Sequence, residues 1–193
     1  MSVCPLLLIV MACISLPARA IDLPYPLAPV DLPIPNISQQ TDVWCWAAVA
    51  QQIINATIGP VRTPSQCALV AAANNMPAQL CCEQGVPACY RPGNITEIQQ
   101  LIGFFGGRYS QYAMPADALT LYRTLAAGRA IILQLRPAGQ TIGHVVVLRG
   151  MSTIPTPFGF TPVLHINDPM AQYTQPVPFD QILPIWQSAI VIQ

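Results

Sequence analysis

Lysine is absent from this chain and histidine occurs only twice; eight acidic residues and eight basic ones, all arginine, make up its whole formal charge. With so few cations and no basic stripe, the chain lacks the electrostatic footprint for a phosphate backbone, and nucleic acid is excluded as a partner. The lack of lysine excludes Schiff-base and lysine general-base chemistry. Beyond the N-terminal region no stretch reaches ~18 uninterrupted apolar residues, so no membrane span is expected. Internal repeats, low-complexity linkers and CxxC pairs are also missing, and neither a metal nor another cofactor is expected. What remains is a chain of 193 residues, enough for one domain that buries its core without a partner, and we expect a monomer.

Residues 1–20, MSVCPLLLIVMACISLPARA, read as an export signal. A short apolar run from Leu6 to Leu16 precedes Ala18-Arg19-Ala20, the small-x-small pattern at which a signal peptidase cuts, despite an n-region without basic residues. Val10-Met11-Ala12-Cys13 has the look of a lipoprotein box, but too little apolar segment precedes Cys13 for that use. The mature chain is therefore expected to be secreted, into the periplasm or beyond the cell. Residues 21–38, IDLPYPLAPVDLPIPNIS, carry five prolines and favour an extended arm lying along the body of the protein over a helix. The folded domain is expected over residues 39–193.

Export leaves five cysteines, Cys45, Cys67, Cys81, Cys82 and Cys89. An odd number in an oxidising compartment leaves one thiol unpaired. Four of them fall within a short segment, so Cys45 is the one left over. Adjacent residues on a trans peptide do not easily reach disulfide geometry, so Cys81 and Cys82 should not bond to each other. Cys67 is then expected to pair with one of them and Cys89 with the other. A four-thiolate zinc site is the competing use of the same residues, and their spacing does not favour it.

The chain changes character at Gly128. Before it, WCWAAVAQQIINATIG runs helix-compatible and proline-free from an N-cap at Thr41 or Asp42 to Gly59-Pro60. SQCALVAAA follows Thr63-Pro64, Asn94 and Glu97 form a capping box ahead of EIQQLIGFF, and ADALTLYRTLAAG follows Pro115. After it, AIILQLR, HVVVLRG, PVLHIND and SAIVIQ are apolar, β-branched runs divided by turn residues. Helices first and strands afterwards predict an α+β domain with a cleft between its two parts. Sequons at Asn36, Asn55 and Asn94 would matter only in a eukaryotic secretory pathway.

Cys45 lies in the first turn of the expected helix, where a thiolate meets the positive end of the helix dipole and unpaired backbone N–H groups. The alternative is a buried structural thiol between Trp44 and Trp46. Of the two histidines, His144 follows Gly143 at the start of a β run and is free to project from the strand end. His165 alternates with Leu164 and Ile166 inside a strand and reads as a partly exposed structural residue. His144 is the candidate general base. Asp168, at the end of the next strand, is the candidate to orient that imidazole, with Asn167 the second choice. Gln39, six residues before Cys45, is the candidate oxyanion donor together with the Cys45 backbone N–H, and Gln40 is its alternative.

Taken in order, QQTDVWCWAA, GHVVVLRG and VLHINDP resemble the papain-like cysteine peptidases. The branch they resemble is the bacterial one that includes staphopains, plant-pathogen avirulence peptidases and the peptidase domains that process double-glycine leaders. The match is residue by residue at Gln39, Cys45, Trp46, His144 and Asp168. This resemblance implies a two-lobed papain-like fold, with a helical N-terminal lobe, an antiparallel β C-terminal lobe and the active-site cleft between them. It implies a cysteine endopeptidase that hydrolyses peptide bonds in protein or peptide substrates through a Cys-His-Asp triad and a thioester. Neither a long propeptide nor a transporter portion is expected with these motifs. Control is therefore expected from a proteinaceous inhibitor, the Pro-rich arm or the disulfides, and leader processing is not the expected role. A deamidase or transglutaminase using the same triad is the alternative chemistry, and a non-catalytic binding module with this fold is the third reading.

Overall fold

The computed structural model describes residues 22–139 and 142–193; the expected export signal lies outside them. In chain order the elements are β1 (Val30–Asp31), α1 (Cys45–Ile58), α2 (Gln66–Ala73), α3 (Ala78–Cys82), α4 (Ile95–Gly106), β2 (Ser110–Ala113) and α5 (Ala118–Ala126). The chain continues through β3 (Ile131–Leu135), β4 (His144–Thr156), β5 (Gly159–Asn167), β6 (Val177–Pro178), α6 (Phe179–Ile182) and β7 (Trp186–Ile192). The α+β class expected from the order of patterns is the class observed. The seven strands form one antiparallel sheet in the order β2-β7-β3-β4-β5-β6, with β1 paired to β4.

Both faces of the sheet centre are covered, which explains why β3 and β4 read as unbroken apolar runs. Ile132, Val145 and Val147 join the core under α1, α2 and α4. Their neighbours Ile131, Leu133, Val146 and Leu148 point the other way, into a second core with Leu121 and Leu125 of α5 and Ile182 of α6. Side chains alternate across a strand, so one apolar run feeds two cores. The helical lobe of α1, α2 and α4 thus lies on one face, and α1 packs against β4 at the middle of the sheet.

The start of α4 follows its sequence signal, whereas α2 and α5 begin after the Pro64 and Pro115 starts expected, where Ser65 and Asp117 offer side-chain caps. Asn94 caps α4 through the Glu97 N–H while the Glu97 carboxylate accepts the Asn94 N–H, the full capping box. Ser65 caps α2, and Asp117 caps α5. The start of α1 is different: neither Thr41 nor Asp42 is the N-cap. The Trp44 N–H donates to the Thr41 carbonyl at 3.3 Å, closing a turn that delays the helix, and Trp44 takes the cap position without a side-chain bond. Cys45 is consequently the first helical residue.

The Pro-rich arm runs along β4 and β5. Leu23 bridges Phe160, β1 pairs with Gly150 and Met151, and the Leu32 N–H donates to the Arg149 carbonyl. Gly150 is required there, because a Cβ would lie 2.4 Å from the Val30 carbonyl oxygen.

Candidate active site

The geometry around Cys45 begins with its two tryptophans, both buried. Trp44 Nε1 donates to the Cys89 carbonyl at 2.9 Å, and Trp46 Nε1 donates to the Arg91 carbonyl at 3.3 Å. The Arg91 guanidinium lies 5.3 Å from the centre of the Trp46 ring, a cation–π contact. Gly93 lies so close to the ring face that a Cβ would sit 2.2 Å from it. The apolar bodies of the indoles fix the start of α1 to the 89–93 segment, and Cys45 between them keeps a partly accessible side chain. Among the described residues it is the one free cysteine. The other four form two disulfides, Cys67–Cys82 and Cys81–Cys89, which is one of the two pairings the sequence left open.

His144 opens β4 opposite Leu135 and is buried. Its Nε2 lies 2.6 Å from Asp168 Oδ1, and His144 and Cys45 line the same cleft. With Nε2 taken by the carboxylate, Nδ1 is the nitrogen left for sulfur. Burial alone would depress the imidazole pKa, but the bond to the Asp168 carboxylate, its charge and the neighbouring Cys45 lift it to about 9.

Register explains why Asp168 rather than Asn167 reaches His144. Val147 pairs with Asn167 and Leu148 with Ile166, so even positions at the start of β4 share a face with even positions at the end of β5. Asn167 points to the opposite side, where its Nδ2 donates to the Ile34 carbonyl of the arm at 2.9 Å. The Asp168 carboxylate is buried but fully used. Oδ1 also accepts the Met170 N–H at 2.9 Å, and Oδ2 accepts those of Gln172 at 2.7 Å and Tyr173 at 3.0 Å. Burial acts to raise its pKa, and the bonds from His144 and these backbone donors hold it below the ordinary carboxylate value.

His165 lies apart from this group: its Nε2 is 2.8 Å from Ser152 Oγ, and burial lowers its pKa. Gln39 is drawn close to the Asp168 loop, its backbone N–H donating to the Pro169 carbonyl at 3.1 Å. Its Nε2 donates one N–H to the Thr41 carbonyl at 2.6 Å, and its Oε1 is buried without a partner. Gln40 is exposed, and its backbone N–H donates to Gln66 Oε1 at 2.9 Å. Gln66 itself carried no sequence signal, because a polar residue inside an apolar helical segment has no local signature for a contact 26 positions away.

Cys45 and His144 border an open cleft of about 340 Å³. One wall comes from Asp42, Trp46 and Gly93, and the other from Arg136, Ile142 and Met170. The arrangement brings a free thiol, an imidazole and a buried carboxylate together beside an open cleft, the groups that nucleophilic acyl transfer requires.

Comparison with known proteins gives two similarities. Residues 31–189 match the family model described as the Peptidase C39-like family. Among solved structures, the chain resembles a Bacillus anthracis protein described as a C39-like peptidase, with a TM-score of 0.54 and 15% identity over 86% of this chain and 98% of that one. No curated protein sequence matches.

Proposed function

Because the chain belongs to the Peptidase C39-like family, we propose that it is an exported papain-like endopeptidase acting through Cys45, His144 and Asp168. The observation that carries this reading is the placement of Cys45 and His144 on the border of one open cleft, with His144 Nε2 2.6 Å from the buried Asp168 carboxylate. The Cys45 thiolate attacks the peptide carbonyl carbon, forming a C–S bond while the carbonyl electrons move onto oxygen. Collapse of that intermediate breaks the C–N bond as His144 Nδ1 gives its proton to the leaving amine. Water then attacks the thioester with His144 as base, releasing the acid and restoring the thiol. Asp168 holds Nε2 protonated, so that Nδ1 is the nitrogen exchanging protons with sulfur.

A pKa of about 9 at His144 supports an imidazolium in the cleft at neutral pH. The developing oxyanion is met by the Cys45 backbone N–H, at the helix start where N–H groups have no intrahelical acceptor. Gln39, whose Nε2 gives one N–H to the Thr41 carbonyl and keeps a second, is assigned as its other donor. Export is supported by the two disulfides that leave Cys45 as the one free thiol of the described residues.

The test is reaction of the oxidised protein with an epoxide cysteine-protease inhibitor, followed by casein cleavage. Labelling at Cys45, with both labelling and cleavage lost in Cys45→Ala and strongly reduced in His144→Ala, is the expected result. Labelling with release of ammonia and no chain cleavage would move the assignment to deamidation. An inert Cys45 would end the enzymatic reading.

A further inference from the structure

The segment that carries Gln39 has no regular secondary structure, yet its backbone is held on three sides by buried glutamines and by the Asp168 loop. Gln66, the first residue of α2, is 1% exposed, and its amide is used completely. Nε2 donates to the Ser38 carbonyl at 2.8 Å and to Gln51 Oε1 at 3.1 Å, while Oε1 accepts the Gln40 N–H at 2.9 Å. One side chain thus grips the peptide groups immediately before and after Gln39. Gln51 is itself fixed by its Nε2 bond to the Pro64 carbonyl at 2.8 Å. Gln52, fully buried, extends the grip upstream through the Ile37 carbonyl at 3.0 Å and Asn36 Oδ1 at 3.3 Å. The Gln39 N–H closes the third side on Pro169.

A donor lowers the barrier to acyl transfer only if it is already aimed at the charge when the charge develops. A loop held by solvent-exposed bonds would not provide that aim; two bonds from one amide, on a side chain only 1% exposed and itself anchored by Gln51, would. We propose that Gln66 is a positioning residue for oxyanion stabilisation, setting the place of the Gln39 amide without touching substrate. This inference rests on the role given to Gln39 above. It assigns to α2 a task beyond carrying Cys67, and it makes the helix pair α1–α2 part of the acyl-transfer machinery.

Two reactions of Cys45 separate this role from a merely structural one. Alkylation by iodoacetamide forms an S–C bond at a saturated carbon as iodide leaves, and no oxyanion arises. Acylation by p-nitrophenyl acetate forms an S–C bond at a carbonyl, passes through an oxyanion and expels p-nitrophenolate. Both are measured on the disulfide-intact protein. Gln66→Met is expected to lower acylation about tenfold and to leave alkylation within about twofold. Gln39→Ala is expected to lower acylation by about 10²-fold, the loss typical of one oxyanion donor, and the double variant to fall no further than Gln39→Ala alone.

Gln66→Glu keeps the acceptor for Gln40 but, when ionised, cannot donate to Ser38. Its acylation rate relative to wild type should climb as the pH is lowered and the carboxyl regains a proton. This variant also carries the test if Gln66→Met does not fold. Equal losses in alkylation and acylation, or losses that multiply in the double variant, would overturn the positioning role. A Gln39→Ala enzyme that acylates normally would remove the oxyanion assignment and this inference together, leaving Cys45 as nucleophile. A wild-type Cys45 inert to both reagents would sink the peptidase reading itself.

Discussion

Replacing Asp168 by Asn tests the core of the site, because the two carboxylate oxygens between them accept four bonds. An amide offers one accepting oxygen and a donating NH2. With its oxygen toward His144 and Met170, the NH2 faces the N–H groups of Gln172 and Tyr173, two donors left without an acceptor. Turned over, it orphans His144 and Met170 instead. Each unsatisfied buried group costs about 1–3 kcal/mol, so Asp168→Asn should lose about 2–6 kcal/mol of stability. For a chain of this size each kcal/mol is worth about 2–4 °C in Tm.

The charge change adds a signature that packing loss would not produce. In the wild type the His144 pKa is raised from 6.5 to about 9. That stabilisation is fully present below pH 6.5 and is lost as the pH rises through 9, amounting to about 3 kcal/mol. Without the carboxylate, burial remains and pushes the imidazole down, so the decline in stability between pH 6.5 and 9 should flatten. The alkaline limb of Cys45 alkylation should move to lower pH by the same cause. Urea unfolding and iodoacetamide kinetics across pH 6–10 read both. An Asp168→Asn protein within about 0.5 kcal/mol of wild type, with its pH profiles unmoved, would refute the argument.

Gly93→Ala should destabilise by about 1–3 kcal/mol through overpacking against the Trp46 ring, seen as a lower urea midpoint, and should slow Cys45 alkylation because the cleft wall shifts. Mild thiol reductant should open Cys67–Cys82 before Cys81–Cys89, since Cys82 is exposed whereas Cys81 and Cys89 are buried; mass-spectrometric thiol mapping gives the order. Asn94→Ala removes one half of the α4 capping box, the Asn94 Oδ1 that accepts the Glu97 N–H, and should lower stability by about 0.5–2 kcal/mol in the same unfolding assay.

Local signals carried far in this sequence where the chemistry itself was local. The Asn94–Glu97 box needs only neighbouring residues, and it marks the start of α4 as the sequence suggested. The strand patterns of β3 and β4 are strong because both faces are buried. The β2 segment SQYA has no such pattern, and it becomes a strand only through pairing with β7. The five residues of α3 are too short for a periodic signal and are held by cysteines at positions 81 and 82. At the site, Cys45, His144 and Asp168 could be named because each has few competitors: one unpaired cysteine, two histidines, and a strand parity that divides Asn167 from Asp168. The grip of Gln66 on residues 38–40 could not, since it depends on how two distant segments pack.

The paired cysteines at 81 and 82 send their crosslinks in opposite directions, one to α2 and one to the segment that holds Trp44 and Trp46. The intervening stretch from Glu83 to Ala88, mostly exposed, is closed off by the Cys81–Cys89 bond. Its length and composition are therefore freed from the job of holding the wall in place, and lengthening a closed loop adds little entropic cost. That makes 83–88 a stretch where insertions should be tolerated without disturbing the segment that seats Trp44 and Trp46.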